Sequence, residues 1–186
     1  MLDESDKTAL LDLAKKTLKA YFDRRSMADF KTDRPDLLEP KGAFVSLHIG
    51  KELRGCIGQL DPEYALFKVV QQCTLSAAFS DPRFVPVRQD ELTELDIEIS
   101  VLTPFRRIQN AEEVTVGKHG LYIVRGHCRG LLLPQVAQEY GWDRTTFLMQ
   151  TCHKAGLPAS AWEDPQTEIF IFEAEVFSDL ENSPAG

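Results

Sequence analysis

The amino-acid sequence predicts an α+β fold, with an antiparallel or mixed sheet and helices flanking it. Three observations carry this. Residues 96–102 and 168–177 alternate polar and apolar side chains with period two, as half-buried strands do. Residues 10–21 and 66–77 carry apolar side chains at helical spacing. Helices and strands also do not alternate regularly along the chain, as they would around a doubly wound parallel sheet.

The elements follow in order. Ser5 is placed to cap a helix running to about residue 22, with Leu10, Leu13, Ala14, Leu18 and Tyr21 as its apolar stripe. Residues 24–41 hold Pro35, Pro40 and many charges and read as a loop. Residues 42–49 and 53–58 read as two strands of a β-hairpin around a turn at 50–52. Gly55 and Gly58 inside the second strand mark a bulge, or a place where something approaches the backbone closely. Pro62 sits where a helix to residue 79 would begin, with Leu66, Val69, Val70, Cys73 and Ala77 on one face. Asp81-Pro82 stops it, and residues 86–94 are irregular.

Beyond the strand at 96–102, residues 114–116 and 121–124 are expected as strands around a glycine-rich turn at 117–120. A second turn is expected at 125–130, ahead of an apolar run at 131–133. Pro134 starts a short helix that Gly141 ends, and Asp143 caps another over 144–155 that Gly156 closes. Residues 168–177 read as one long strand, and 182–186 as a disordered tail. The length favours a single domain over residues 1–180, or one with an inserted lobe.

Charge narrows the partners. The formal net charge is −8, from 29 acidic and 21 basic residues, which argues against a broad nucleic-acid-binding face and against attraction to anionic lipid. No run of ~20 apolar residues is present, so no membrane span is expected. The N-terminus lacks a basic region followed by an apolar core, so no secretory signal is expected either. Cys56, Cys73, Cys128 and Cys152 form no CxxC pair and read as free thiols of a reducing compartment, which points to the cytoplasm. His48, His119, His127 and His153 are scattered, with no HExxH and no local metal motif, and no cofactor is expected.

Cys56 is the first candidate for chemistry. On a regular strand its side chain shares a face with that of Arg54, whose guanidinium would favour the thiolate. The flanking glycines would leave backbone N–H groups open to a ligand. Against this nucleophilic or redox reading stands a small buried cysteine in a tight hairpin. Cys73 and Cys152 fall on apolar helical stripes and read as core, while Cys128 is expected in a turn. His119, in the 117–120 turn, reads either as a group titrating near neutral pH or as a plain turn residue. Asp81 and Arg83 read either as a local pair or, through Arg83, as a ligand contact. Trp142 and Trp162 read as packing residues.

Taken together, these segments resemble one family. LRGCIG at 53–58 is similar to the signature of the AMMECR domain family, which includes protein A of the AmmeMemoRadiSam system. The likeness continues through AAFSDPRF (77–84), LDIEISVLTP (95–104), GKHGL (117–121), GLLLPQVA (130–137), GWD (141–143), KAGL (154–157) and FEAEVF (172–177). It implies two unequal lobes, the larger holding both chain ends, with a cleft between them that the signature hairpin walls. By motif position it points to Arg54, Cys56, Gly58, Asp81, Arg83, His119, Gln135 and Trp142. Of these, Cys56 and His119 are the catalytic candidates. Arg54, Gly55, Gly58, Asp81, Arg83, Gln135 and Trp142 are the ligand-binding ones. Two departures stand out: Val85 replaces a common proline, and His127-Cys128 replaces other polar residues.

The resemblance also implies a Memo-like protein and a radical SAM protein as partners. This chain has no cysteine run for an iron–sulfur cluster, so radical chemistry would belong to the partner. Two functions follow as expectations. One is an enzyme or enzyme subunit using Cys56, with Arg54 or Arg83 holding an anionic substrate. The other is a non-catalytic binding or scaffold protein that docks a peptide, a small ligand or the Memo-like partner.

Overall fold

The computed structural model describes residues 2–60 and 63–179. Pro62 and the expected tail at 182–186 lie outside these residues, but the helix expected from Pro62 begins only at Leu66, with Ala65 as its N-cap. The chain divides into two compact units. Of the described residues, the first holds 2–60, 63–102 and 175–179; the second, residues 103–174, is inserted into it.

The first unit opens with α1 (Glu4–Arg24). Its cap is Asp3, not Ser5: the Asp3 carboxylate accepts from the Asp6 N–H, and the Asp6 carboxylate answers to the Asp3 N–H. Ser5 instead accepts from Arg34 Nη2 at 2.6 Å. The expected loop contains one helical turn, α2 (Pro35–Leu38). Then come β1 (Ala43–Ile49), β2 (Glu52–Gln59), α3 (Leu66–Phe79), β3 (Leu95–Leu102) and, after the inserted unit, β8 (Ala174–Ser178). The sheet order is β2-β1-β3-β8, with β1 antiparallel to both β2 and β3. Val45, Leu47, Ile97 and Ile99 turn to one face of this sheet, where they join Leu10 and Leu18 of α1 and Val70 and Cys73 of α3 in one core.

The second unit contains β4 (Arg106–Ile108), β5 (Gly120–Arg125), β6 (Cys128–Leu132), α4 (Pro134–Glu139), α5 (Arg144–Lys154) and β7 (Glu168–Phe172). Its sheet is antiparallel with order β4-β7-β5-β6. Phe147, Leu148 and Cys152 of α5 pack on Leu121, Ile123 and Ile171. Asp143 caps α5 by accepting from the Thr146 N–H at 2.7 Å, as expected.

Three expectations about this unit change. Residues 114–116 form no strand, because the Thr115 carbonyl accepts from the N–H groups of Lys118 and His119 in a tight turn. Cys128 begins β6 and is not in a turn, since β5 and β6 meet around residues 126–127. The long strand at 168–177 is two strands in two sheets, β7 and β8, parted at Glu173. β4 carried too little periodicity over its three residues to be foreseen.

Candidate functional site

Cys56 lies on β2, the edge strand of the first sheet. Its register partner is Ser46 on β1, whose own partner on β3 is Glu98. The three side chains therefore stand in a row on the face opposite the helices. The Ser46 hydroxyl donates to Cys56 Sγ at 3.2 Å. Cys56 is half-buried, and burial pushes its thiol pKa up; the Ser46 hydroxyl and the Arg83 charge pull the other way, less strongly. The thiol is thus the neutral form at neutral pH, as the buried-cysteine reading expects, and Arg54 does not stand beside it to favour the thiolate.

Arg54 is turned elsewhere for a definite reason. The β1–β2 register pairs Leu47 with Gly55 and His48 with Leu53, so Arg54 is the extra residue of a β-bulge. The bulge breaks the two-residue alternation that would have set Arg54 beside Cys56. Its guanidinium grips Glu91 through Nε and Nη2, both at 2.9 Å, and donates from Nη1 to the Val85 carbonyl at 3.0 Å.

As the edge strand, β2 has outward-facing backbone groups that need partners. At Cys56 two side chains supply them. The Cys56 N–H donates to Asp81 Oδ2 at 2.9 Å, and Arg83 Nη2 donates to the Cys56 carbonyl at 3.2 Å. Asp81 and Arg83 are joined by Nε–Oδ1 and Nη2–Oδ2 hydrogen bonds of 2.9 and 2.7 Å. The guanidinium and two backbone N–H groups hold the Asp81 carboxyl well below the usual carboxylate range. The Asp81 side chain is 2% exposed and that of Arg83 54%, so the pair presents its cation to solvent. The local-pair reading of Asp81 and Arg83 is what the geometry shows.

The two glycines have packing reasons. A Cβ on Gly55 would lie 2.0 Å from the Ala77 carbonyl oxygen of α3. A Cβ on Gly58 would lie 2.2 Å from the ring of Phe44, its cross-strand partner. The close approach that glycine permits is made by the chain itself.

His119, Gln135 and Trp142 belong to the second unit. His119 Nδ1 accepts from the Thr115 N–H at 3.1 Å, and partial burial lowers its pKa. Trp142 stacks on Tyr140 with ring centroids 4.9 Å apart, and its backbone N–H donates to the Ala137 carbonyl. Gln135 lies on α4, with Oε1 buried and unpartnered. Ser46 and Glu91 were missed as site residues. Ser46 was within reach, because pairing the predicted hairpin sets it opposite Cys56. Glu91 carried no signal, since only the tertiary fold brings it to Arg54. Among the described residues, no three His, Cys, Asp or Glu side chains are grouped to hold a metal ion.

Comparison with known proteins places the chain in a family and matches its fold. The sequence model of the AMMECR1 family matches residues 11–177. A protein of Thermococcus gammatolerans is 42% identical over 181 residues, covering 91% of this chain and 88% of that protein. One of Methanothermobacter thermautotrophicus is 38% identical over 183 residues, covering 95% of each. The crystal structure of the uncharacterised protein PH0010 from Pyrococcus horikoshii is similar at a TM-score of 0.87 and 38% identity, covering 91% of this chain and 89% of that one.

Proposed function

This chain belongs to the AMMECR1 family, and on that premise we propose that it is a binding component acting beside Memo-like and radical SAM partners. The segment of residues 54–58 and the Asp81–Arg83 pair form its contact surface. One observation carries this reading: Asp81 and Arg83 occupy both outward backbone groups of Cys56 and leave a tethered guanidinium facing solvent. Such a cation is pre-organised, so little side-chain freedom is lost when it meets a carboxylate or phosphate. Co-purification tests the proposal. A Memo-like or radical SAM protein should be retained by the wild type and equally by Cys56→Ser; failure to retain either partner would refute it.

A second reading, a cysteine-dependent enzyme or enzyme subunit, rests on the Ser46 hydroxyl aimed at Cys56 Sγ. That hydrogen bond favours a thiolate once one forms. It meets the opposing and larger effect of burial. Iodoacetamide labelling across pH separates the two readings. The binding reading expects Cys56 to alkylate more slowly than free cysteine, with an inflection above the ordinary thiol value. An inflection at or below that value favours the enzyme.

A further inference from the structure

The second unit holds a cavity of about 510 Å3 that none of the candidate-site residues lines. It lies between β4, the start of β7 and the 3-10 turn at Ala159–Glu163. Ile108 and Ile169 form its apolar floor, 6% and 8% exposed, and Trp162 lines it beside them. Its polar wall includes Asn110 and Thr167. Thr167 is 8% exposed, and its hydroxyl is shut off from solvent with no hydrogen-bond partner. A buried hydroxyl left unsatisfied is costly, and a native fold rarely keeps one without a use for it. A ligand hydroxyl would reach that of Thr167 once Thr167 turns about its Cα–Cβ bond to another staggered rotamer.

The charges of the wall are largely spent within the protein. Arg107 is bound to Glu168 at 2.8 Å and Asp164 to Arg125 at 2.8 Å. What remains is the Trp162 ring, the two isoleucines, the Asn110 side-chain NH2 (its Oδ1 accepts from the Glu112 N–H), the Glu163 carboxylate, which can accept from a ligand hydroxyl, and the Thr167 hydroxyl in want of a partner. We propose that this cavity binds a small neutral polyhydroxylated ligand, a free sugar or the ribose of a nucleoside, whose apolar face lies on Trp162 and one of whose hydroxyls pairs with Thr167. The volume suits a ligand of that size. A site built to bond a hydroxyl discriminates strongly against partners that lack one.

The chain has two indole N–H groups, on Trp142 and Trp162, which NMR resolves as two signals. Titration with D-glucose, D-ribose and adenosine should move the Trp162 signal and leave that of Trp142 in place. A response to glucose or ribose assigns a free sugar, and a response to adenosine alone assigns a nucleoside. Thr167→Val keeps the shape and removes the unpaired hydroxyl, so it should fold at least as stably, and its affinity should fall about tenfold. Affinity unchanged in Thr167→Val, or a Trp162 signal unmoved by all three probes, would overturn the proposal.

Discussion

The residue at the centre of the site is defined less by its sulfur than by what holds its backbone. Cys56 has its N–H and carbonyl taken by Asp81 and Arg83, and its thiol kept neutral by burial. Asp81→Asn is expected to cost roughly 1–2 kcal/mol at neutral pH, since a charge-assisted pair is lost while an acceptor for the Cys56 N–H remains and Arg83 is well solvated. The sign of the pH dependence follows from the lowered folded pKa of Asp81. The pair's stabilisation is full above the ordinary carboxylate value of 3.8 and drains as pH falls through the folded value. The gap between wild type and Asp81→Asn in denaturant unfolding should therefore narrow below that value; a gap constant with pH would contradict the ionic account. Cys56 was legible in the sequence as a thiol between glycines on a hairpin strand, and Arg83 as a cation just past a helix stop beside Asp81. Their relation was not. A β-bulge at Arg54 swung that guanidinium to Glu91, and a bulge leaves no mark in periodicity beyond the glycine next to it.

At the level of elements, the hairpin and both long helices of the first unit were readable, because local patterning and tertiary burial agree there. Leu10, Leu13, Ala14 and Leu18 are at most 2% exposed, as their spacing on α1 requires. Boundaries and strand identity were less readable where the fold decides. Residues 168–177 keep a single alternation across two strands, and nothing in that pattern tells that β7 and β8 join different sheets. The hairpin also explains its glycines. Gly55→Ala drives a Cβ into the α3 backbone and should cost about 3 kcal/mol. Gly58→Ala meets only the Phe44 ring, which can swing aside, and should cost about 1 kcal/mol. Denaturant unfolding of the two variants measures the difference, and equal costs would mean that β2 does not press on α3 as described.

For the whole molecule, the inserted unit departs from the first sheet at Thr103 and returns at Glu173. There the Thr103 N–H donates to the Glu173 carbonyl at 2.9 Å, and the Glu173 N–H donates to the Thr103 hydroxyl at 2.8 Å. Each unit has its own core. Among the described residues, no helix is long and apolar enough to cross a membrane. The family was legible from eight motifs, whereas the function was not, because a fold and a signature segment do not fix what a site engages. The central claim is that the Asp81–Arg83 pair on the edge of β2 is a contact surface. It is tested most directly by calorimetric titration of a purified Memo-like protein into the wild type and the double variant Asp81→Asn/Arg83→Gln. That variant replaces the ion pair by two amides able to keep the Cys56 backbone hydrogen bonds. Binding to the wild type that weakens at least tenfold in the folded double variant, about 1.4 kcal/mol, is the expected result. Equal affinity for both proteins would contradict it.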